Sequence, residues 1–156
     1  MKLSKQEIKL QKEVKALIDS DKKLHEDDLE YIYENFNPGF ISDVTTHSAY
    51  FTPLDMAYDF ALFAGRHGVC VDMCAGIGIL TYAAKIRDSW EKNITHQICI
   101  ERNPDYLAIG KRLLPEADWI LGDMFDQNMW NDILKKYGRI DSIFPFGKSF
   151  PFQCHL

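Results

Sequence analysis

The residues best suited to chemistry form a short segment at positions 72–78, which reads D-M-C-A-G-I-G. Asp72 precedes two glycines, Gly76 and Gly78, and the segment lies between a valine-rich run and a stretch with helical spacing. Glycine permits unusual backbone dihedral angles and lets a ligand approach where a Cβ atom would collide. The pattern predicts a ligand-binding turn between a strand and a helix, although a purely structural turn would carry the same glycines.

The kind of ligand depends on what the turn lacks. A dinucleotide-binding fingerprint, G-x-G-x-x-G, requires a third glycine, and Thr81 stands at that position. The segment instead resembles the D-x-x-x-G-x-G motif of class I S-adenosylmethionine-dependent methyltransferases, in which the turn surrounds the methionine part of the cofactor. The turn residues to which this resemblance gives cofactor contacts are Asp72, Cys74, Ala75, Gly76 and Gly78.

A second acid follows the next apolar run. Residues 96–101 predict a strand that ends at Glu101. An acid at the end of the second strand can accept hydrogen bonds from both ribose hydroxyls of a nucleoside. A solvated turn residue before Arg102 is the alternative, but the register of Glu101 with the glycine turn favours a ribose contact.

Residues 118–125 predict a third strand and the loop that follows it. They resemble the family segment in which an acid binds the adenine amino group while apolar side chains cover the ring. The resemblance gives the hydrogen bond to Asp123 and the covering role to Met124 or Phe125. The alternative is an ordinary loop at Asp123, with Met124 and Phe125 packed in the core.

A helix is predicted before the glycine turn, over residues 54–64. Met56, Phe60 and Phe63 can share one face of it. Thr52 can cap this helix, and Pro53 suits its first turn because proline has no N–H to leave unpaired.

The tripeptide F-T-P before this helix also resembles a segment of amino-group methyltransferases, notably the adenine-specific DNA enzymes of the type I restriction-modification class. In those enzymes it lies beside the methionine moiety of the cofactor. The resemblance therefore implies cofactor contacts for Tyr50, Phe51 and Thr52, whereas helix capping explains the same residues without a cofactor.

The fourth predicted strand, within residues 139–148, departs from this family. Adenine-amine methyltransferases carry [DNS]-P-P-[FYW] there, because a polar side chain accepts a hydrogen bond from the amine and the aromatic ring stacks on the flipped base. Pro145 and Phe146 match the last two positions, but Phe144 and Ile143 replace the first proline and the polar acceptor. We therefore predict substrate contacts for Pro145 and Phe146 and no general base.

The stretch that leads to this motif is also three residues shorter than the family pattern. Divergence, a deletion in a decaying gene and a loop without a catalytic role are three open interpretations. Because a polar acceptor positions the amine rather than the cofactor, we expect the chain to bind S-adenosylmethionine more effectively than it transfers methyl groups.

These elements predict an α/β protein with a Rossmann-like class I methyltransferase fold, whose doubly wound sheet is mainly parallel. About four strands are identified, against seven in a full class I domain, so we expect an incomplete domain. Two amphipathic helices, at residues 4–20 and 27–36, precede it. The predicted domains are residues 1–41, with the helices, and residues 42–156, with the cofactor-binding part.

Composition sets the remaining expectations. The chain is 46% hydrophobic and 26% charged, and it contains neither an apolar run of the roughly 20 residues that cross a membrane nor a signal-peptide core. The histidines are scattered, and the four cysteines, Cys70, Cys74, Cys99 and Cys154, lack paired metal-ligand spacing. We therefore expect a cytoplasmic protein without a metal.

The net charge of −5 argues against strong non-specific binding to nucleic acid. The resemblance nevertheless implies DNA as the substrate, with RNA, protein and small-molecule amines still open. It also implies target recognition by a separate specificity subunit or partner domain. Two functions remain: an adenine-specific DNA methyltransferase that uses S-adenosylmethionine, or a non-catalytic cofactor-binding remnant or subunit that acts through a partner.

Overall fold

A computed structural model describes residues 4–40, 51–63 and 67–144. Its helices before the glycine turn are α1 (Lys5–Ile18), α2 (Glu26–Asn35), a short 3-10 turn (Pro38–Phe40) and α3 (Leu54–Ala61). From there strands and helices alternate: β1 (Gly68–Asp72), α4 (Ile79–Asp88), β2 (Ile94–Glu101), α5 (Pro104–Leu113), β3 (Asp118–Leu121), α6 (Gln127–Tyr137) and β4 (Ser142–Phe144).

The four strands form one parallel sheet in the order β3-β2-β1-β4. Asp72 at the end of β1 is in register with Cys99 of β2 and with Phe144 of β4. Glu101 at the end of β2 is in register with Leu121 of β3. This strand order is that of a Rossmann-like fold, and it brings the carboxyl ends of all four strands to one edge of the sheet, where such folds bind ligands.

Helices cover both faces of the sheet, as in a doubly wound fold. Helices α1 to α5 contribute to one buried cluster, which includes Cys70 of β1 and Phe144 of β4. Helix α6 contributes to a second buried cluster with Val71 and Ile98. Because neighbouring residues of a strand point to opposite faces, Cys70 and Val71 belong to different clusters. The predicted α/β class, with a doubly wound parallel sheet, is confirmed.

The two amino-terminal helices belong to the first of these clusters. Ser4 caps α1 through a reciprocal pair of hydrogen bonds with Glu7, of 3.2 Å and 2.6 Å. Val14 of α1 and Ile32 of α2 are almost completely buried, in the same cluster as residues of the helices that cover the sheet. The guanidinium of Arg112 on α5 also donates to backbone carbonyls between α1 and α2. The predicted domain division at residue 41 stays a prediction.

Helix α3 packs through a different face from the one its large apolar residues indicate. Met56 and Phe63 are 44% and 83% exposed, whereas Leu54, Ala57 and Ala61 are buried. Small side chains let two helix backbones approach closely, and α3 contacts α4, whose Ala83 and Ala84 are also fully buried. Two residues of the expected apolar face are therefore exposed: Met56 in α3 and Phe63, two residues beyond the end of the helix.

Helix α3 begins at Leu54, as predicted, but its N-cap is Pro53 and not Thr52. Pro53, in an extended conformation, occupies the N-cap position, and the first helical residue is Leu54. The carbonyl of Pro53 accepts the first helical hydrogen bond, from the N–H of Ala57. The cap makes no side-chain hydrogen bond, so the predicted capping role of Thr52 is wrong.

Within the described ranges, no helix is both long enough and apolar enough to cross a membrane. In the same part of the chain, no group of three or more histidine, cysteine or acidic side chains is arranged to hold a metal ion. Cys70 and Cys99 are buried free thiols, and Cys74 is an exposed one.

Candidate cofactor site

The two glycines of the turn after β1 have positive φ angles, 57° at Gly76 and 95° at Gly78. These angles are strained for residues with a Cβ atom, which explains why both positions are glycine. A Cβ atom on Gly78 would lie 2.8 Å from Leu114 Cδ1 and 3.2 Å from the Trp119 ring. A Cβ atom on Gly76 would lie 2.6 Å from Phe51 Cε1. Gly78 thus permits close packing in the core, and Gly76 permits close approach of Phe51.

Glu101 connects this turn to the end of β2. Its Oε2 atom accepts a 2.8 Å hydrogen bond from the backbone N–H of Gly76, and its Oε1 atom accepts one of 2.7 Å from Asn103. The residue is only 9% exposed, so it is not a solvated turn residue. Because each carboxylate oxygen has two lone pairs, both atoms retain acceptor capacity for hydroxyl groups.

Asp72 lies in the interior of the protein, with 3% of its surface exposed. The hydroxyl of Thr81 donates to Asp72 Oδ2 at 3.1 Å, and it also lies 3.3 Å from the sulfur of Cys99. Burial raises the pKa of Asp72 to about 6, the negative charge of Glu101 adds to this effect, and hydrogen bonds from Thr81 and Cys74 oppose it. Thr81, which breaks the dinucleotide fingerprint, is thus the partner of the acid that opens the turn.

The loop after β3 approaches the turn through two sulfur atoms. Met124 Sδ lies 4.0 Å from Cys74 Sγ, and the Met124 carbonyl accepts a 2.6 Å hydrogen bond from the Trp130 indole. Asp123 is exposed, and its Oδ1 atom accepts a 3.0 Å hydrogen bond from the N–H of Phe125. Phe125 is 72% exposed, so it does not pack in the core. The backbone N–H of Gly122 also donates to the Glu101 carbonyl at 3.1 Å.

Phe51 forms the centre of a row of three aromatic rings on another side of the turn. Its ring centre lies 5.4 Å from that of Phe36 and 5.3 Å from that of Tyr106, in edge-to-face arrangements. Phe36 ends α2 and Tyr106 belongs to α5. Phe51 is therefore held against Gly76 by two elements of the helical layer.

The structure brings together most of the predicted cofactor residues. Phe51 contacts Gly76, Gly76 is hydrogen-bonded to Glu101, and Cys74 contacts Met124. Ala75 joins the same edge through a 3.0 Å hydrogen bond from its N–H to the Ile100 carbonyl. Thr52 is partly buried next to Phe51. The other predicted site residues, Tyr50, Pro145 and Phe146, lie outside the described residues.

Sequence reasoning missed several residues that build this site. Asn103 caps α5 by accepting hydrogen bonds from Asp105 at 2.9 Å and from Tyr106 at 3.5 Å. Asparagine followed by proline is a known helix-start pattern, so the sequence carried a signal for Asn103. The contacts of Trp130 and Phe36 depend on tertiary packing, and no local pattern indicates them.

Comparison with known proteins finds a similarity among solved structures. No known protein family matches the sequence, and no curated protein matches it. The chain is similar to a crystal structure described as a "putative methyltransferase" from Porphyromonas gingivalis W83, with 14% sequence identity and a TM-score of 0.44. The alignment covers 88% of this chain and 40% of that one, so the chain spans less than half of that protein's length.

Proposed function

We propose that this chain binds S-adenosylmethionine and is the cofactor-binding part of a methyltransferase that acts on an adenine amino group in DNA. The observation that carries the proposal is the hydrogen bond between Glu101 and Gly76. It joins the acid at the end of β2 to the glycine turn after β1, and the loop after β3 reaches the same turn at Cys74.

The side chains at this edge fit the nucleoside part of the cofactor. The buried carboxylate of Glu101 is an acceptor for ribose hydroxyls. Within the described residues, Asp123 Oδ2 has no donor, which leaves it for the amino group of the base. Met124, between Cys74 and Trp130, supplies an apolar surface for the ring.

The methionine part of the cofactor would lie along the glycine turn, where Phe51 covers Gly76. Asp72 is directed to Thr81 in the interior, so its role here is to hold the turn in position rather than to be exposed to the ligand. When bound, S-adenosylmethionine supplies an electrophilic methyl group on a sulfonium. The chain's own task is to orient the nucleophile toward that carbon and to exclude water.

Binding without catalysis is the second candidate function, and the end of β4 favours it. Phe144, which replaces the first proline of the family motif, is buried and in register with Asp72, so it contributes to the core rather than to a substrate site. Ile143, at the position of the polar acceptor, offers no hydrogen bond to an amine. In this case the chain would act through a partner, such as a specificity subunit that recognises the DNA target.

Calorimetric titration with S-adenosylmethionine tests the proposal. We expect the unmodified chain to bind, and we expect Glu101→Gln and Asp123→Ala each to weaken binding about 10-fold, because each removes a hydrogen bond to a charged acceptor. The matched controls are Glu91→Gln and Asp132→Ala, two exposed acids outside the site, which should leave affinity unchanged. If the unmodified chain does not bind, the proposal is wrong.

A methyl-transfer assay on unmethylated DNA separates the two candidate functions. Radiolabelled S-adenosylmethionine is incubated with the chain and DNA, and label in adenine is measured. Binding without transfer supports the non-catalytic function, whereas sustained transfer by the chain alone establishes the enzyme.

A further inference from the structure

Helix α2 contacts the glycine turn at its centre. Tyr33 is buried, and its hydroxyl donates to the backbone carbonyl of Ile77, between the two glycines, at 3.4 Å. Among the described residues this hydroxyl is the only partner of that carbonyl. Ile77 is completely buried, and a buried carbonyl without a partner is costly. The ring of Tyr33 is fixed against Tyr82 of α4, with ring centres 4.8 Å apart.

The end of α2 reaches the same turn by a second route. Phe36 meets Phe51 edge to face, with the ring planes at 80°, and Phe51 rests against Gly76. The backbone of Asn37, one residue further, is held to α1 by a 3.0 Å hydrogen bond to the Gln11 side chain. Two side chains of one short helix thus act on adjacent residues of the turn, Gly76 and Ile77.

We infer that Tyr33 and Phe36 are positioning residues for the cofactor turn, so that the amino-terminal helices are part of the binding site. The inference rests on the proposed function for its ligand, but the positioning itself is a property of the free chain. Gly76 and Gly78 have no side chains that could fix their part of the turn by packing. Here the hydroxyl of Tyr33 fixes the Ile77 carbonyl, and Phe36 fixes the ring that lies on Gly76.

Two variants remove these contacts with little loss of core volume. Tyr33→Phe deletes only the hydroxyl, and Phe36→Leu deletes the aromatic edge. We expect each to weaken the binding of S-adenosylmethionine to the folded chain about 5-fold, measured by calorimetry well below the unfolding temperature. Phe36→Tyr keeps the ring and should restore affinity.

Ile32→Val is the matched control for a purely structural effect. Ile32 is on the same helix and is completely buried, so its substitution lowers stability through the core. It should leave the affinity of the folded chain unchanged. If Tyr33→Phe and Phe36→Leu likewise lower stability without changing affinity, the residues only support the fold and the inference is wrong.

Hydrogen exchange of the free chain tests the positioning without any ligand. The N–H of Gly76 is bonded to Glu101, and that of Gly78 is bonded to the Ala75 carbonyl at 2.7 Å, so both should be protected. We expect Tyr33→Phe to accelerate their exchange several-fold more than Ile32→Val does. A chain that shows this effect but does not bind S-adenosylmethionine overturns the proposed function and retains the inference; equal exchange in the two variants overturns the inference.

Discussion

The Cε1 atom of Phe51 lies 2.6 Å from the position that a Cβ atom would take on Gly76. Gly76→Ala must therefore displace the ring and also strain a φ of 57°. We expect a loss of about 1–3 kcal/mol in the free energy of unfolding, from strain and overpacking together. We also expect S-adenosylmethionine binding to fall more than about 10-fold, because the turn itself moves. Urea unfolding and calorimetry measure the two effects.

Gly138→Ala is the control for strain alone. Gly138 ends α6 with a φ of 79°, and a Cβ atom added to it would meet no other atom within 4 Å. The variant should lose about 1 kcal/mol of stability and keep its cofactor affinity. If Gly76→Ala bound S-adenosylmethionine with unchanged affinity, the contact between Phe51 and Gly76 would have no role in ligand binding.

Asp72→Asn should change how stability depends on pH. Burial raises the native pKa of Asp72 from 3.8 to about 6, so between these values the native state binds more protons than the unfolded chain. The contribution of Asp72 to stability therefore falls as pH rises through this window and is constant above it. Asparagine does not titrate, and its side-chain oxygen can still accept from Thr81.

The measurement is urea unfolding of both proteins at several values between about pH 4 and pH 7. The unmodified chain should lose stability relative to Asp72→Asn as pH rises to about 6, after which the difference should stay constant. Titrating groups that do not interact with Asp72 are common to both proteins and cancel in the difference. Parallel profiles over the whole range would show that the native carboxyl titrates normally.

Gly110→Ala should destabilise the chain, although alanine normally favours a helix by about 1 kcal/mol. A Cβ atom on Gly110 would overlap the ring of Trp119. That ring is held by a 3.1 Å hydrogen bond from its Nε1 atom to the Leu114 carbonyl, so it cannot move away freely. We expect a net loss of about 1–3 kcal/mol, measured by urea unfolding.

The same substitution in a Trp119→Leu background checks the cause. Without the indole ring the added methyl group has space, and Gly110→Ala should become neutral or stabilising. A loss of equal size in both backgrounds would exclude a clash with Trp119 as the reason.

Local patterns were enough to predict the strand tips. Asp72, Gly76 and Glu101 are adjacent to apolar runs of strand length, and parallel strands align their ends, so their proximity follows from the fold class. Thr81 could be identified only as a departure from a fingerprint. Its hydrogen bond to Asp72 depends on the first turn of α4 bringing it back over the strand end.

The contacts of the amino-terminal helices could not be predicted in this way. Tyr33 and Ile77 are 44 residues apart, and no periodicity links them. Helix α3 shows another limit, because the size of Met56 and Phe63 suggested a buried face, whereas Ala57 and Ala61 form the face that packs. Hydrophobicity measures what a side chain gains by burial, but the closeness of two helices is set by how small the side chains between them are.

The pairing of β1 with β4 joins the two strands of the sheet that are farthest apart in the sequence. The N–H of Val69 donates to the Asp141 side chain and the N–H of Asp141 donates to the Val69 carbonyl, both at 2.9 Å, across 72 residues. Contacts between residues so far apart in the sequence form slowly, because the chain loses conformational entropy before the contacts stabilise it. We therefore expect β1 to pair with β2 before it pairs with β4. If the proposed cofactor requires the edge at which β1 and β4 end, its binding would stabilise the pairing of these strands, and binding and strand pairing would be thermodynamically coupled.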